Sequence, residues 1–174
     1  MREGTRRGIQ ECVLFGLVLG PLLATIEVVT YLALGLGAER PLRLTASLFV
    51  GPQAFTQADG ATVTLVAFGA HLLLAAVWGA LFGAFAAHAP LRVRRGYSDQ
   101  AVLGMAFGAV VWLVDFQVLG RLISPWMLDD PMLPQLLPHM LGFGLPMGLL
   151  FARAERRVPD VSEFETPDSP GVRQ

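Results

Sequence analysis

Four long apolar segments alternate with short polar stretches along the chain, at about residues 10–36, 61–87, 100–123 and 133–152. A helix needs roughly 20 mostly apolar residues to cross a bilayer, and a backbone inside lipid must satisfy its own hydrogen bonds. The pattern therefore predicts an all-α polytopic membrane protein. We expect four transmembrane helices, arranged as a bundle of two parallel helical hairpins.

The composition supports this fold class. Hydrophobic residues make up 53% of the chain and charged residues 16%, where a soluble domain carries about a quarter charged residues. The first apolar run follows Arg2, Arg6 and Arg7 like a signal peptide, but it is too long for one, so we interpret it as a retained span. We expect one transmembrane domain over 1–157, and a disordered cytoplasmic tail over 158–174, which is acidic and proline-containing.

The basic residues predict the orientation. All 13 are arginines, and the chain has neither Lys nor Asn, which suggests a GC-rich and therefore bacterial genome. Ten arginines lie on the side of the termini, nine of them next to span ends and Arg173 in the tail, and only Arg40, Arg43 and Arg121 lie on the other side. By the positive-inside rule, both termini are cytoplasmic in a multi-pass protein of the bacterial inner membrane.

The loop over 38–60 is long for a hairpin connection. Within it, residues 41–50 predict a short helix that begins near Pro41 and ends at Gly51. This helix is too short to span a bilayer. It is either a lid over the bundle or an anchor in the outer interface. In the other outer loop, Trp126 fits an interfacial belt residue.

Each apolar segment carries one ionisable residue, and these are Glu27, His71, Asp115 and His139. Counted from the span ends, all four lie at similar depth in the outer half of the membrane. A charge near the bilayer centre costs at least about 2.5–3.5 kcal/mol, so all four should face inward and pair. The simplest pairing joins Glu27 to one histidine and Asp115 to the other.

The two halves of the chain share a spacing of small and polar residues. Gly16 and Gly20 precede Glu27 as Gly104 and Gly108 precede Asp115, with identical spacing. In the second and fourth segments, His71 and His139 are each followed by another glycine pair, but the interval from the histidine to the first glycine differs between the two segments. Glycine pairs four apart let helices approach closely, so we expect these residues to pack the bundle. The second pairs are Gly79 with Gly83 and Gly144 with Gly148.

Three functions remain open for the four ionisable residues. In the first, they hold together the helices of a scaffold or of a subunit that binds a membrane partner. In the second, they form the relay of a small ion- or proton-coupled transporter or channel, which would require a homodimer. In the third, they bind a metal or haem. Against the last, no helix carries the Glu-x-x-His pair of di-iron bundles, and we expect no cofactor.

Other classes of function lack support in the sequence. The single Cys12 forms neither an internal disulfide nor a metal motif, and no basic arm with interleaved aromatic residues indicates nucleic-acid binding. Ser124 has no nucleophile-elbow context, so we identify no catalytic residue and do not expect an enzyme. The partner that the sequence does predict is the lipid bilayer.

Four runs of sequence carry a resemblance to a known group. They are PLRLTASLFVGPQAF (41–55), HLLLAAVWG (71–79), GMAFGAVVWLVDF (104–116) and HMLGFGLPMG (139–148). Over roughly residues 10–152 the chain resembles small bacterial inner-membrane proteins of unknown function, similar in style to the YagU-type families. The resemblance implies a four-span membrane protein without a known activity. It also implies an amide as often as an acid at the position of Asp115, which favours a stapling role over an obligatory ligand or proton carrier.

Overall fold

The structure is a computed structural model that describes residues Glu3 to Val158, with the side chain of Glu3 excepted. The tail predicted over 158–174 lies outside the described residues from position 159 onward, as does Arg2. Within the described part every regular element is helical. In chain order these are α1 (Glu3–Ala33), α2 (Arg40–Val50), α3 (Gln53–Thr56), α4 (Gly60–Ala86), α5 (Leu91–Arg95), α6 (Tyr97–Ile123) and α7 (Met132–Arg156), with a 3-10 turn at Pro125–Asp129.

Four of these helices, α1, α4, α6 and α7, are long and apolar enough to cross a membrane. The predicted all-α bundle of four spans is confirmed, as is the short helix near 41–50. α1 begins at Glu3, before the predicted start at Gln10, because Arg7 pairs with Glu11 one turn later at 3.4 Å. α7 continues to Arg156, past the predicted end at 152, because its last turn carries the buried Glu155.

α1 and α4 form the first hairpin, and their backbones touch at the predicted glycines. A Cβ added at Gly16, Gly20, Gly79 or Gly83 would overlap backbone atoms of the facing helix. Such close approach replaces large side chains with backbone packing, as small residues do between membrane helices. The carbonyls that face these four glycines belong, in order, to Ala75, His71, Cys12 and Gly8.

α6 and α7 form the second hairpin with the same type of contact. Gly104 and Gly144 face each other's backbones, Gly108 faces the carbonyl of His139, and Gly148 faces that of Gln100. The acid-bearing helix of each half therefore places its second glycine against the backbone of a histidine.

The repeat has a different register from the predicted one in its second element. Gly79 faces Cys12, which lies four residues before Gly16. In the same way, Gly148 faces Gln100, which lies four residues before Gly104. Gly79 therefore corresponds to Gly148 and not to Gly144. The interval from histidine to glycine is one residue longer in α7 because Pro138–Gly144 is π-helical, and a π-helical turn accommodates an extra residue. Pro138 and Pro146, which lack an N–H donor, frame this segment.

The two hairpins meet around a continuous apolar core. On one side, aromatic rings of α4 and α6 pack edge to face, with Phe82 and Phe107 centred 5.1 Å apart. On the other side, α1 packs directly against α7. The core fills the half of the bundle nearer the described chain ends, which we call the proximal half, and its largest buried members include Phe82, Phe143, Met147 and Phe151. The opposite half, which we call the distal half, holds Glu27, His71, Asp115 and His139.

Candidate functional site

The four ionisable residues of the spans line one small cavity in the distal half. Glu27, His71, Asp115 and His139 are each at most 8% exposed and all border a cavity of about 40 Å³. That volume has room for a very small number of water molecules and for no larger solute. The cluster faces inward, toward the other spans.

Glu27 and His71 form the central contact of the site. His71 Nε2 lies 3.2 Å from Glu27 Oε2, which joins α4 to α1. The other ring nitrogen, Nδ1, donates to the carbonyl of Ala67 one turn earlier at 3.0 Å. The ring is thereby held at both nitrogens. Its backbone is also fixed, because Gly20 packs against the His71 carbonyl.

His139 approaches the same carboxylate from α7. Its Nδ1 donates to the carbonyl of Gln135 at 2.7 Å and lies 3.5 Å from Glu27 Oε1. Phe116 of α6 packs edge-on against the imidazole, with ring centroids 5.6 Å apart. One carboxylate thus contacts histidines from two other spans and connects three of the four transmembrane helices.

The expected pairing of Asp115 with a histidine is wrong. Both carboxylate oxygens of Asp115 accept from the indole N–H of Trp78, at 3.2 and 3.3 Å. Glu27 instead contacts both histidines. Trp78 was overlooked as a partner because an indole carries no charge, although it lies two helical turns after His71 on the same face of α4.

Short distal elements cover the cavity. Thr45 and Leu48 of α2, together with Met127 of the 3-10 turn, line its distal side. The Trp126 indole donates to the buried Ser47 hydroxyl at 2.8 Å and so joins the two loops above the bundle. Trp126 therefore connects the two loops by a hydrogen bond and is not simply an interfacial belt residue. The contacts of α2 are those of a lid, while its exposed Phe49 also suits an interfacial anchor.

A second polar network ties the cover to α1. Asp130 is buried, accepts from Tyr31 Oη at 3.0 Å and forms an ion pair with Arg40. Hydrogen bonding to Asp130 raises the pKa of the Arg40 guanidinium above its usual value. Tyr31 lies one turn beyond Glu27 on α1, so this network connects the distal surface with the cluster.

The proximal end carries a charge cluster that the sequence reasoning missed. Glu155 is 2% exposed and forms ion pairs with Arg7 of α1, at 3.3 Å, and with Arg94 of α5. These contacts fasten the end of α7 to the start of α1 and to the loop between the hairpins. The sequence offered one signal, which is that Glu155 is the single acid among Arg153, Arg156 and Arg157. These three arginines were used only to predict the orientation.

The geometry gives no support to a metal or haem site at Glu27, His71, Asp115 and His139. Within Glu3–Val158 no three His, Cys, Asp or Glu side chains are placed to share a metal ion. In addition, the Nδ1 atoms of both histidines are committed to backbone carbonyls. A haem macrocycle is far larger than the cavity.

Comparisons of the chain with protein-family models, with curated proteins and with solved structures find no match. The resemblance to the YagU-type families stays a prediction.

Proposed function

We propose that this multi-pass membrane protein resides in a bacterial inner membrane with its proximal end in the cytoplasm. The support is the distribution of arginine. Those at the proximal ends of the four helices outnumber the distal Arg40, Arg43 and Arg121 by a wide margin. A C-terminal fusion to green fluorescent protein should fluoresce, and a C-terminal alkaline phosphatase fusion should be inactive. Active phosphatase at that terminus would contradict the orientation.

We further propose that the cluster ties the bundle together, in a protein that acts as a scaffold or as the subunit of a membrane partner. The observation that carries this function is the contact of one carboxylate, that of Glu27, with His71 and His139 on two other spans. A carboxylate inside lipid has few alternatives to such partners, so separation of the helices leaves buried polar groups unpaired. The small volume of the cavity also favours a role in holding the helices together over a role as a substrate site.

The experiment compares the double variant Glu27→Leu/His71→Leu and the single variant Glu27→Gln with the wild type in detergent, by thermal unfolding followed with circular dichroism and by size-exclusion chromatography. Leucine removes the polar tie, whereas glutamine retains side-chain hydrogen bonding toward His71. A stapling function predicts that the double variant Glu27→Leu/His71→Leu unfolds at a lower temperature than the wild type, while Glu27→Gln stays close to the wild type. A double variant as compact and thermally stable as the wild type would contradict the proposal.

A second candidate, proton-coupled transport, is favoured by the local backbone of the cluster. Asp115 lies in the π-helical segment Leu113–Leu119 and His139 in the π-helical segment Pro138–Gly144. Single π-helical turns in α-helices occur frequently at functional sites. Liposomes that contain the protein and a pH-sensitive dye distinguish the two functions. Transport predicts that a pH gradient dissipates faster than in empty liposomes and that Asp115→Asn slows it, whereas a scaffold predicts no difference from empty liposomes.

A further inference from the structure

The hydrogen bonds at the histidines fix where their protons lie. His71 Nδ1 is 3.0 Å from the Ala67 carbonyl oxygen, and His139 Nδ1 is 2.7 Å from that of Gln135. A carbonyl oxygen only accepts, so each Nδ1 must carry hydrogen. A neutral imidazole has one N–H, which leaves the Nε2 of a neutral His71 as a bare acceptor.

That bare nitrogen faces a carboxylate oxygen. The distance from His71 Nε2 to Glu27 Oε2 is 3.2 Å, which is a hydrogen-bonding distance between two atoms that both accept when the histidine is neutral and the glutamate ionised. The contact is attractive only when one more proton lies between them. Either His71 is an imidazolium beside a carboxylate, or Glu27 is a carboxylic acid that donates to the imidazole.

We propose that Glu27 and His71 form a binding site for one exchangeable proton, held between Oε2 and Nε2. The inference rests on the contact between Glu27 and His71 that was described for the stapling function, and it identifies a proton as the ligand of that contact. With the proton bound, the pair is neutral overall. On release, the proton passes to a base in solution, and a carboxylate and a neutral imidazole remain with a net charge of −1.

The surroundings of the pair favour retention of the proton. The charged or titratable groups nearby are Asp115 from α6, His139 from α7 and Tyr31 from α1, which donates to Asp130. The distal cover contributes only Thr45, Leu48 and Met127 to the cavity, and none of these is ionisable. A second carboxylate beside an unprotonated pair would add like charge in a membrane interior, where uncompensated charge is costly.

Magnetic resonance of the full chain with ¹⁵N-labelled histidine tests the proposal, because the chain has only three histidines. His88 is an internal control. Its Nδ1 also contacts the carbonyl one turn earlier, that of Ala84 at 2.7 Å, but it is exposed and makes no carboxylate contact within the described residues. Variants His88→Gln and His139→Gln assign the three signals.

At neutral pH we expect His71 with Nδ1 protonated, accompanied by one of two signatures of the shared proton. Either Nε2 is protonated as well, or the infrared spectrum contains a carboxylic acid band that Glu27→Gln removes. In Glu27→Gln, His71 should be a neutral Nδ1–H imidazole, because the amide donates to Nε2 without an additional proton. A band that persists in that variant belongs to another carboxyl group.

The opposite tautomer would overturn the proposal. If His71 in the wild type carries hydrogen only on Nε2 beside an ionised Glu27, the pair binds no additional proton. That outcome would leave the stapling function intact, because such a pair still joins α1 to α4. Conversely, a double Leu variant that folds normally beside a wild type with the shared proton would reject stapling and retain the proton site.

Discussion

Gly108 packs directly against the backbone carbonyl of His139, so closely that a Cβ on the glycine would overlap that oxygen. Gly20 has the same relationship to His71 in the other hairpin. The backbones of the two histidines that contact Glu27 are therefore positioned by close contacts between helices. Helix packing and cluster geometry are consequences of the same glycines.

A larger residue at Gly108 should disrupt both packing and the cluster. We expect Gly108→Val to destabilise the protein by about 1–3 kcal/mol, the usual effect of overpacking a tight contact. Thermal unfolding in detergent measures the change. The matched control is Gly69→Val, because a Cβ at Gly69 meets no atom within 4 Å. Equal losses of stability in the two variants would argue against the close α6–α7 contact.

The hydrogen bond between Trp126 and Ser47, which joins the two distal loops, should limit the motion of α2. Trp126→Phe removes the hydrogen bond to Ser47, and we expect a loss of about 0.5–1.5 kcal/mol together with faster hydrogen exchange of the α2 amides. Mass spectrometry of exchanged peptides over 40–50 detects the change. Phe49→Leu alters an exposed side chain of the same helix and serves as the control. Unchanged exchange in Trp126→Phe would show that α2 is held by its other contacts, such as the ion pair between Arg40 and Asp130.

The buried Glu155 should matter more than an exposed acid with a similar partner. Glu155→Gln leaves Arg7 and Arg94 without their common carboxylate, and we expect a loss of about 1.5–3 kcal/mol, as for a hydrogen bond to a charged group. Glu39→Gln is the comparison, since Glu39 contacts Arg43 at 3.0 Å but is 70% exposed. That variant should lose at most about 1 kcal/mol. A smaller effect at Glu155 than at Glu39, measured by thermal unfolding, would contradict the role of the proximal ion pairs.

The start of α4 should loosen in acid. Asp59 accepts from the backbone N–H of Thr62 at 3.0 Å, and this hydrogen bond lowers the pKa of Asp59 below its ordinary value of 3.8. A lowered pKa means that the cap is fully effective above the ordinary value and is lost as the pH falls through the folded-state value. Amide exchange in the first turn of α4, corrected for intrinsic rates, should therefore accelerate in that range. Asp59→Asn keeps a capping side chain and should abolish the pH dependence; a variant with unchanged pH dependence would assign the effect to another group.

Much of this architecture follows from local patterns in the sequence. The four spans depend on hydropathy and length, and the tight hairpins depend on glycines that recur every four residues. These signals are local, so they are visible without knowledge of the fold. Even the inward direction of the polar residues follows from the cost of a charge exposed to lipid.

The partners within the site were less predictable, because they depend on side-chain reach and helix register. Charge matching assigns Asp115 to a histidine, but the structure pairs it with the neutral indole of Trp78. Equal periodicity aligns Gly79 with Gly144, but a π-helical segment shifts the correspondence to Gly148. Neither the extra residue of a π-turn nor a hydrogen bond from an uncharged ring has a distinctive pattern in one sequence.

A double-mutant cycle measures whether the contact between Glu27 and His71 stabilises the bundle. The cycle measures thermal or denaturant unfolding of the wild type, Glu27→Leu, His71→Leu and the double variant, with Glu27→Leu/His88→Leu as the control cycle. We expect a coupling energy of about 0.6–1.7 kcal/mol between Glu27 and His71, which lies between the average and the largest values found for hydrogen bonds between membrane helices. We expect no coupling between Glu27 and His88. If the effects of Glu27→Leu and His71→Leu are additive within about 0.3–0.5 kcal/mol, the two side chains do not stabilise the bundle together.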